Sequence, residues 1–188
     1  MKKIKFDEIK TPRELLTFMG QNITYGFVGK NGKKYLDEHS LDWANNWYNE
    51  CIVQSGEEVL KTKVGTCWDQ VELKRLWFKK HNYQFKTIFI WFEVNKSNDL
   101  PTHTFLVYEE KGKKYWLEKA TSEDIGIYEF DTYEEVIEDA KQTILKDAIK
   151  SGKAKEKDYQ FLKAYEYDEV IQNLSVDDYI DHVTGCSS

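Results

Sequence analysis

Arginine is nearly missing from this chain: of its 27 basic residues only Arg13 and Arg75 are not lysine. That leaves little with which to grip a phosphate or carboxylate through two parallel hydrogen bonds. No run of about 18 apolar residues occurs, so nothing reads as a membrane span. The N-terminal stretch MKKIKFDEIKTPRELL begins with lysines but brings Asp7 and Glu8 where a signal peptide needs its apolar segment, which points to a cytoplasmic protein. Cysteine is sparse and odd in number, with Cys51, Cys67 and Cys186 widely spaced. This is no secreted disulfide framework, and at least one thiol stays free in a single chain. The motifs HExxH, GxGxxG and GxxxxGK[ST] are all absent, removing the usual warrants for a zincin, a dinucleotide fold or a P-loop enzyme. No internal repeat is present.

What remains is globular. The 188 residues are 40% hydrophobic, 15% aromatic and 32% charged, enough to bury a core without disulfides or metals, and read as a single domain over 1–188. The net charge of -6 is unevenly spread: residues 1–118 carry 19 basic and 16 acidic groups, residues 119–188 carry 8 and 17. An acidic C-terminal half repels a phosphate backbone, so nucleic acid is not expected as a partner. The six tryptophans lack an accompanying basic stripe and read as core or cleft walls rather than as platforms for bases.

The segment TPRE at 11–14 opens a helix, with Thr11 as cap, Pro12 in the first turn and Glu14 completing a capping box, and Gly20 as its expected stop. Asn31-Gly32 predicts a turn, and Ser40 predicts a helix running through WANNWYNECIV. KVGTCWDQVELKRLWFKK, residues 63–80, predicts a turn at Gly65 and then a helix, with Thr66 and Asp69 spaced as an N-terminal cap and Cys67 on the first turn. FKTIFIWFEV at 85–94 is a buried-strand run. After SNDLP, the segment THTFLVYEEKGKKYWLEKA at 102–120 predicts two strands joined by a tight turn at Lys111-Gly112. A helix follows over about 133–150, then a polar connection at 151–158, then a short helix from Ser175 to near Gly185 with Cys186 in a frayed tail. The fold class is therefore α+β, with helices packed on an antiparallel sheet.

If the Lys111-Gly112 turn has two residues, Glu110 opposes Lys113, and outward counting sets Ala120 opposite His103 and Glu118 opposite Phe105. His103 and Glu118 then share one sheet face as diagonal neighbours, so the carboxylate can orient the imidazole. A one-residue slip would separate them. Cys67 at a helix start lies in the partial positive potential of unpaired N–H groups, which favours a thiolate. Together, Cys67 as nucleophile, His103 as acid/base and Glu118 as orienting group form a possible catalytic arrangement. The Cys67 and Trp68 amides are candidates for oxyanion donors, as are side chains of Gln21, Asn22 or Tyr25. Each residue has an ordinary alternative: Cys67 an inert thiol, His103 a satisfied strand histidine, Glu118 a solvent-facing carboxylate, Asp69 a helix cap rather than a substrate contact. Cys51 reads as core packing and His81 as a helix C-terminal cap. A zinc site from Cys67, His81, His103 and Glu118 lacks close ligand spacing, so no metal or cofactor is expected.

GTCWDQVELKRLWF at 65–78 and THTFLVYEEKGKKYWLEKA at 102–120 resemble the transglutaminase-like branch of the papain-like cysteine enzymes, in particular small bacterial members. The resemblance covers about residues 60–121, with accessory N- and C-terminal segments. It implies a Cys-bearing helix on an antiparallel sheet and a Cys67-His103-Glu118 triad, with Glu118 standing where many relatives have Asp. It also implies acyl chemistry on a protein or peptide amide through a thioester, hydrolysis ahead of amine-acceptor transglutamination. A non-catalytic peptide-binding module on the same scaffold is the alternative.

Overall fold

A computed structural model describes residues 5–93, 101–120, 125–170 and 174–185. Cys186 and the break at 97–100 lie outside the described residues. Helix α1 (Pro12–Asn22) opens with the reciprocal Thr11–Glu14 cap. It runs past Gly20, against expectation, and stops where Ile23 turns extended with its N–H on the Met19 carbonyl; one helical glycine costs less than the turn it joins contributes. A two-stranded ribbon, β1 (Phe27–Val28) and β2 (Lys34–Tyr35), closes through the Asn31-Gly32 turn, in which Gly32 has φ 79°. Helix α2 (Leu41–Glu50) is capped by Ser40. It ends before CIV because Cys51 and Val53 leave in bridges to Gly29 and Leu174.

Helix α3 (Gly56–Thr62) precedes the central helix α4 (Cys67–Lys80). The strands β3 (Gln84–Phe92), β4 (His103–Glu110), β5 (Lys113–Glu118), β6 (Gly126–Phe130) and β7 (Leu162–Glu166) form one antiparallel sheet in the order β6-β5-β4-β3-β7. Helix α5 (Tyr133–Lys150) and helix α6 (Val176–Thr184) complete the described chain. The result is a mixed α+β fold with two antiparallel sheets.

Strand alternation sorts the core into layers. Leu106, Tyr108 and Leu117 pack with Leu73, Trp77 and Phe78 of α4 and with α1. Phe105, Val107 and Trp116 pack on the opposite face with Val136, Ala140 and Ile144 of α5. The large sheet is thus covered on both sides by helices. A third cluster lies beside it, where Trp68 stacks on Tyr179 of α6 at 4.2 Å and meets Phe89. Among the described residues no helix is long and apolar enough to cross a membrane.

Candidate active site

The local sequence at 64–69 determines how Cys67 is presented. The Thr66 N–H and hydroxyl both donate to Asp69, whose other oxygen accepts the Gln54 N–H at 2.7 Å. Asp69 is buried, where it caps the helix and ties it to the segment before α3. Burial outweighs those hydrogen bonds and pushes its carboxyl up to about 6. Gly65 is required at its place, since a Cβ there would lie 2.9 Å from that of Asp69. The first intrahelical bond runs from the Gln70 N–H to the Thr66 carbonyl at 2.9 Å, so the Cys67 and Trp68 amides precede the helical ladder. The indole of Trp68 itself is core.

The hairpin holds the other two residues. Glu110 pairs with Lys113 and Leu106 with Leu117, so counting one step outward sets Phe105 opposite Glu118. Lys111 (φ 51°) and Gly112 (φ 80°) both adopt left-handed backbone, as the favoured two-residue hairpin turn demands. His103 and Glu118 meet as that register requires: Nε2 lies 2.8 Å from a Glu118 oxygen. A carboxylate only accepts, so Nε2 carries the proton. Glu118, with no solvent exposure, also accepts the Trp116 indole N–H at 3.2 Å and the Ala120 N–H. Burial opposes a charge on His103, but the Glu118 charge, with hydrogen bonds to Cys67 and Glu118, outweighs it and lifts the imidazole to about 10.

The three residues do not meet across a sheet face. His103 shares the parity of Phe105 and Val107, which face α5, whereas Cys67 comes from the helix on the other side. They converge at the end of the sheet, where α4 and β4 both begin. There Cys67, His103, Trp116 and Ala120 line a pocket of about 350 Å³, with Tyr25 and Glu38 on one wall and Ala140, Ile144 and Asp147 of α5 on another.

Of the three side-chain candidates from the N-terminal region, only Tyr25 lines this pocket. The Thr24 backbone bridges to Val64, two residues before Thr66, which carries Tyr25 alongside the start of α4. Burial, then negative charge at Cys67 and Glu38, raise the Tyr25 hydroxyl and keep it a donor. The Asn22 amide donates to its own helix at the Phe18 carbonyl, and Gln21 is exposed. A second pocket of about 400 Å³ shares Tyr25, Glu38, Pro101 and Thr102 with the first and is walled by Trp43, Trp47, Trp68 and Trp91.

Cys51 is buried, and burial followed by the charges of Asp69 and Cys67 pushes its thiol far up. His81 caps the far end of α4, its Nδ1 on the Trp77 carbonyl and its ring stacked on Trp77. The helix rise of 1.5 Å per residue puts it about 20 Å from Cys67, too far to share a metal. Among the described residues no group of three or more His, Cys, Asp or Glu side chains could hold a metal ion. Sequence reasoning missed Lys74, fully buried in α4, whose ammonium donates to the Leu117 carbonyl at 2.9 Å. Its seven-residue spacing from Cys67 was the available signal, because that puts both on one side of a helix. The pocket walls from α5 had no local signal. No protein-family model, curated protein or solved structure matches this chain.

Proposed function

We propose that this protein performs cysteine-dependent acyl chemistry on an amide of a protein or peptide, with hydrolysis as the outcome. The observation that carries the reading is the buried His103–Glu118 hydrogen bond of 2.8 Å, with Cys67 and His103 lining the same open pocket. The arrangement of a helix-start cysteine at the end of an antiparallel sheet also supports a papain-like, transglutaminase-like core.

In this mechanism the Cys67 thiolate attacks the amide carbonyl carbon, forming a C–S bond and an oxyanion. The Cys67 and Trp68 amides and the Tyr25 hydroxyl would donate to that oxygen. As the C–N bond breaks, the imidazolium of His103 protonates the departing amine. The neutral ring, held in one tautomer by Glu118, then takes a proton from water, which attacks the thioester and releases the acid and the thiolate. An amine in place of water would give transamidation by the same steps. The tryptophan-walled pocket beside the site fits an extended peptide rather than a small polar substrate.

The test is iodoacetamide labelling resolved by peptide mass spectrometry over pH 5–9, in wild type and His103→Ala. Rapid labelling of Cys67 at pH 6 that falls about tenfold or more in the variant supports the reading, since only the thiolate reacts. Identical profiles in the two folded proteins overturn it. A subsequent screen of peptide amides, with and without a primary amine, separates hydrolysis from transfer.

A further inference from the structure

A lysine buried beneath a candidate active site calls for an explanation, because an ammonium is among the groups most costly to remove from water. Lys74 is 1% exposed. It lies seven residues, about two turns, beyond Cys67 on the same side of α4, and a long helical side chain leans back towards the helix N-terminus. That lean carries its Nζ to the Leu117 carbonyl, the residue immediately before Glu118, at 2.9 Å.

The charged and titratable groups around it are few. The charges of Glu118, next along β5 from Leu117, and of Cys67, on its own helix, favour the ammonium, while Lys119 just after β5 opposes it. His103 of β4 stands behind Glu118, joined to it by the 2.8 Å hydrogen bond. Burial lowers the Lys74 pKa, and the charges of Glu118 and Cys67 act in the other direction. Lys119 is only partly buried, so solvent screens its attraction for Glu118 more than it screens that of Lys74.

We propose that Lys74 is a positioning residue for this site: its buried ammonium neutralises Glu118 and thereby permits the thiolate–imidazolium form of the Cys67–His103 pair. The inference rests on the catalytic reading above. Charge counting gives its logic. With Lys74 charged, Glu118, Lys74 and a thiolate–imidazolium pair sum to zero in the buried cluster. Remove the ammonium and the same form carries a net negative charge, which is most cheaply relieved by returning a proton to sulfur. The same cation balances Glu118 when His103 turns neutral after protonating the leaving amine, so the carboxylate stays ionised and keeps Nε2 protonated. The Leu117 hydrogen bond adds a mechanical role, tying β5 to the helix that bears Cys67.

The experiment is the rate of Cys67 carbamidomethylation against pH in wild type, Lys74→Met, Lys74→Gln and Lys74→Arg, each first checked for native circular dichroism and thermal unfolding. Met matches the shape without charge, and Gln retains an N–H donor without charge. Both neutral variants are expected to move the profile upwards by about one pH unit, about a tenfold slower reaction at pH 6, with rates converging above pH 9. Arg is expected to keep the wild-type profile. A neutral variant that keeps the wild-type profile overturns the proposal, and so does Gln alone doing so, which would assign the effect to the hydrogen bond instead of the charge. Should Met fail to fold, Gln carries the comparison. If His103→Ala leaves the wild-type profile unchanged, it is the catalytic reading that fails, and that result is distinct from any outcome at Lys74.

Discussion

His103 makes the fold itself sensitive to pH. Its imidazole is raised from the ordinary 6.5 to about 10, so the native state binds the proton more tightly than the unfolded chain. The stabilisation is fully present below about pH 6.5 and is lost as pH rises through about 10. Urea unfolding from pH 6 to 10 is expected to show wild type losing stability relative to His103→Gln, with the gap widest at the acid end. Asp69 is the other residue whose loss should be felt strongly. Asp69→Ala strips partners from the Thr66 and Gln54 amides and is expected to cost about 2–3 kcal/mol, read by the same unfolding experiment. Cys51 supplies the internal control: buried and with its thiol held protonated, it should resist alkylation in the native protein and react only on unfolding. At this scale the sequence was informative where chemistry depends on near neighbours. Thr66, Cys67 and Asp69 announce a capped helix start within four residues, and the alternation from His103 to Glu118 follows from one short turn. The sequence named Gln21, Asn22 and Tyr25 together without choosing among them, because only the bridge of Thr24 to Val64 brings Tyr25 to the pocket, and Lys74 was passed over because its partner is the distant Leu117 carbonyl.

Among the elements, the β4–β5 hairpin sets the site's geometry, since the spacing of His103 from Glu118 depends on a two-residue connection. Lys111 occupies a left-handed conformation that disfavours a Cβ-bearing residue. Lys111→Asn is expected to stabilise the protein by about 0.5 kcal/mol, and Gly112→Ala to destabilise it by about 1 kcal/mol, both measured as shifts in urea midpoint. The elements readable in advance were those with strong periodicity or punctuation, such as α5 with its Val136, Ala140, Ile144 and Ala148 stripe. Strand β7 was not: in LKAYE only Leu162 is buried, so an edge strand carries a weak alternation. Helix α3 is seven residues long and starts on a glycine, too short for a helical period to register. The expected extension of α2 through Val53 failed because Cys51 and Val53 serve backbone bridges instead of a helix face.

On the scale of the whole molecule, α4 and α5 cover opposite faces of the sheet and the site forms where the layers end. That placement lets the three key residues be buried while the pocket stays open. The C-terminal helix α6 contributes to the same region through Tyr179, fully buried against Trp68 and Phe89 and with its hydroxyl towards Tyr167. Tyr179→Ala is expected to cost about 3 kcal/mol and to shift tryptophan emission to the red as Trp68 gains solvent. Layering of this kind was foreseeable in outline, as helices on an antiparallel sheet. The two-sided covering was not, because which strand residues face which helix is decided only when distant segments pack.

The strand order also gives direction of synthesis a consequence. Cys67, Lys74, His103 and Glu118 have all been translated before β6, yet β3 finds its outer partner only in residues 162–166. At about 5–20 residues per second the ribosome needs about 4–14 s to add the 70 residues that separate the end of β3 from the start of β7. Throughout that interval one of the most apolar strands of the nascent chain has an open hydrogen-bonding edge, the kind of template on which neighbouring chains aggregate. Production of this protein should therefore respond to slower synthesis or added chaperone through the fate of that edge, well after the residues of the pocket have been made.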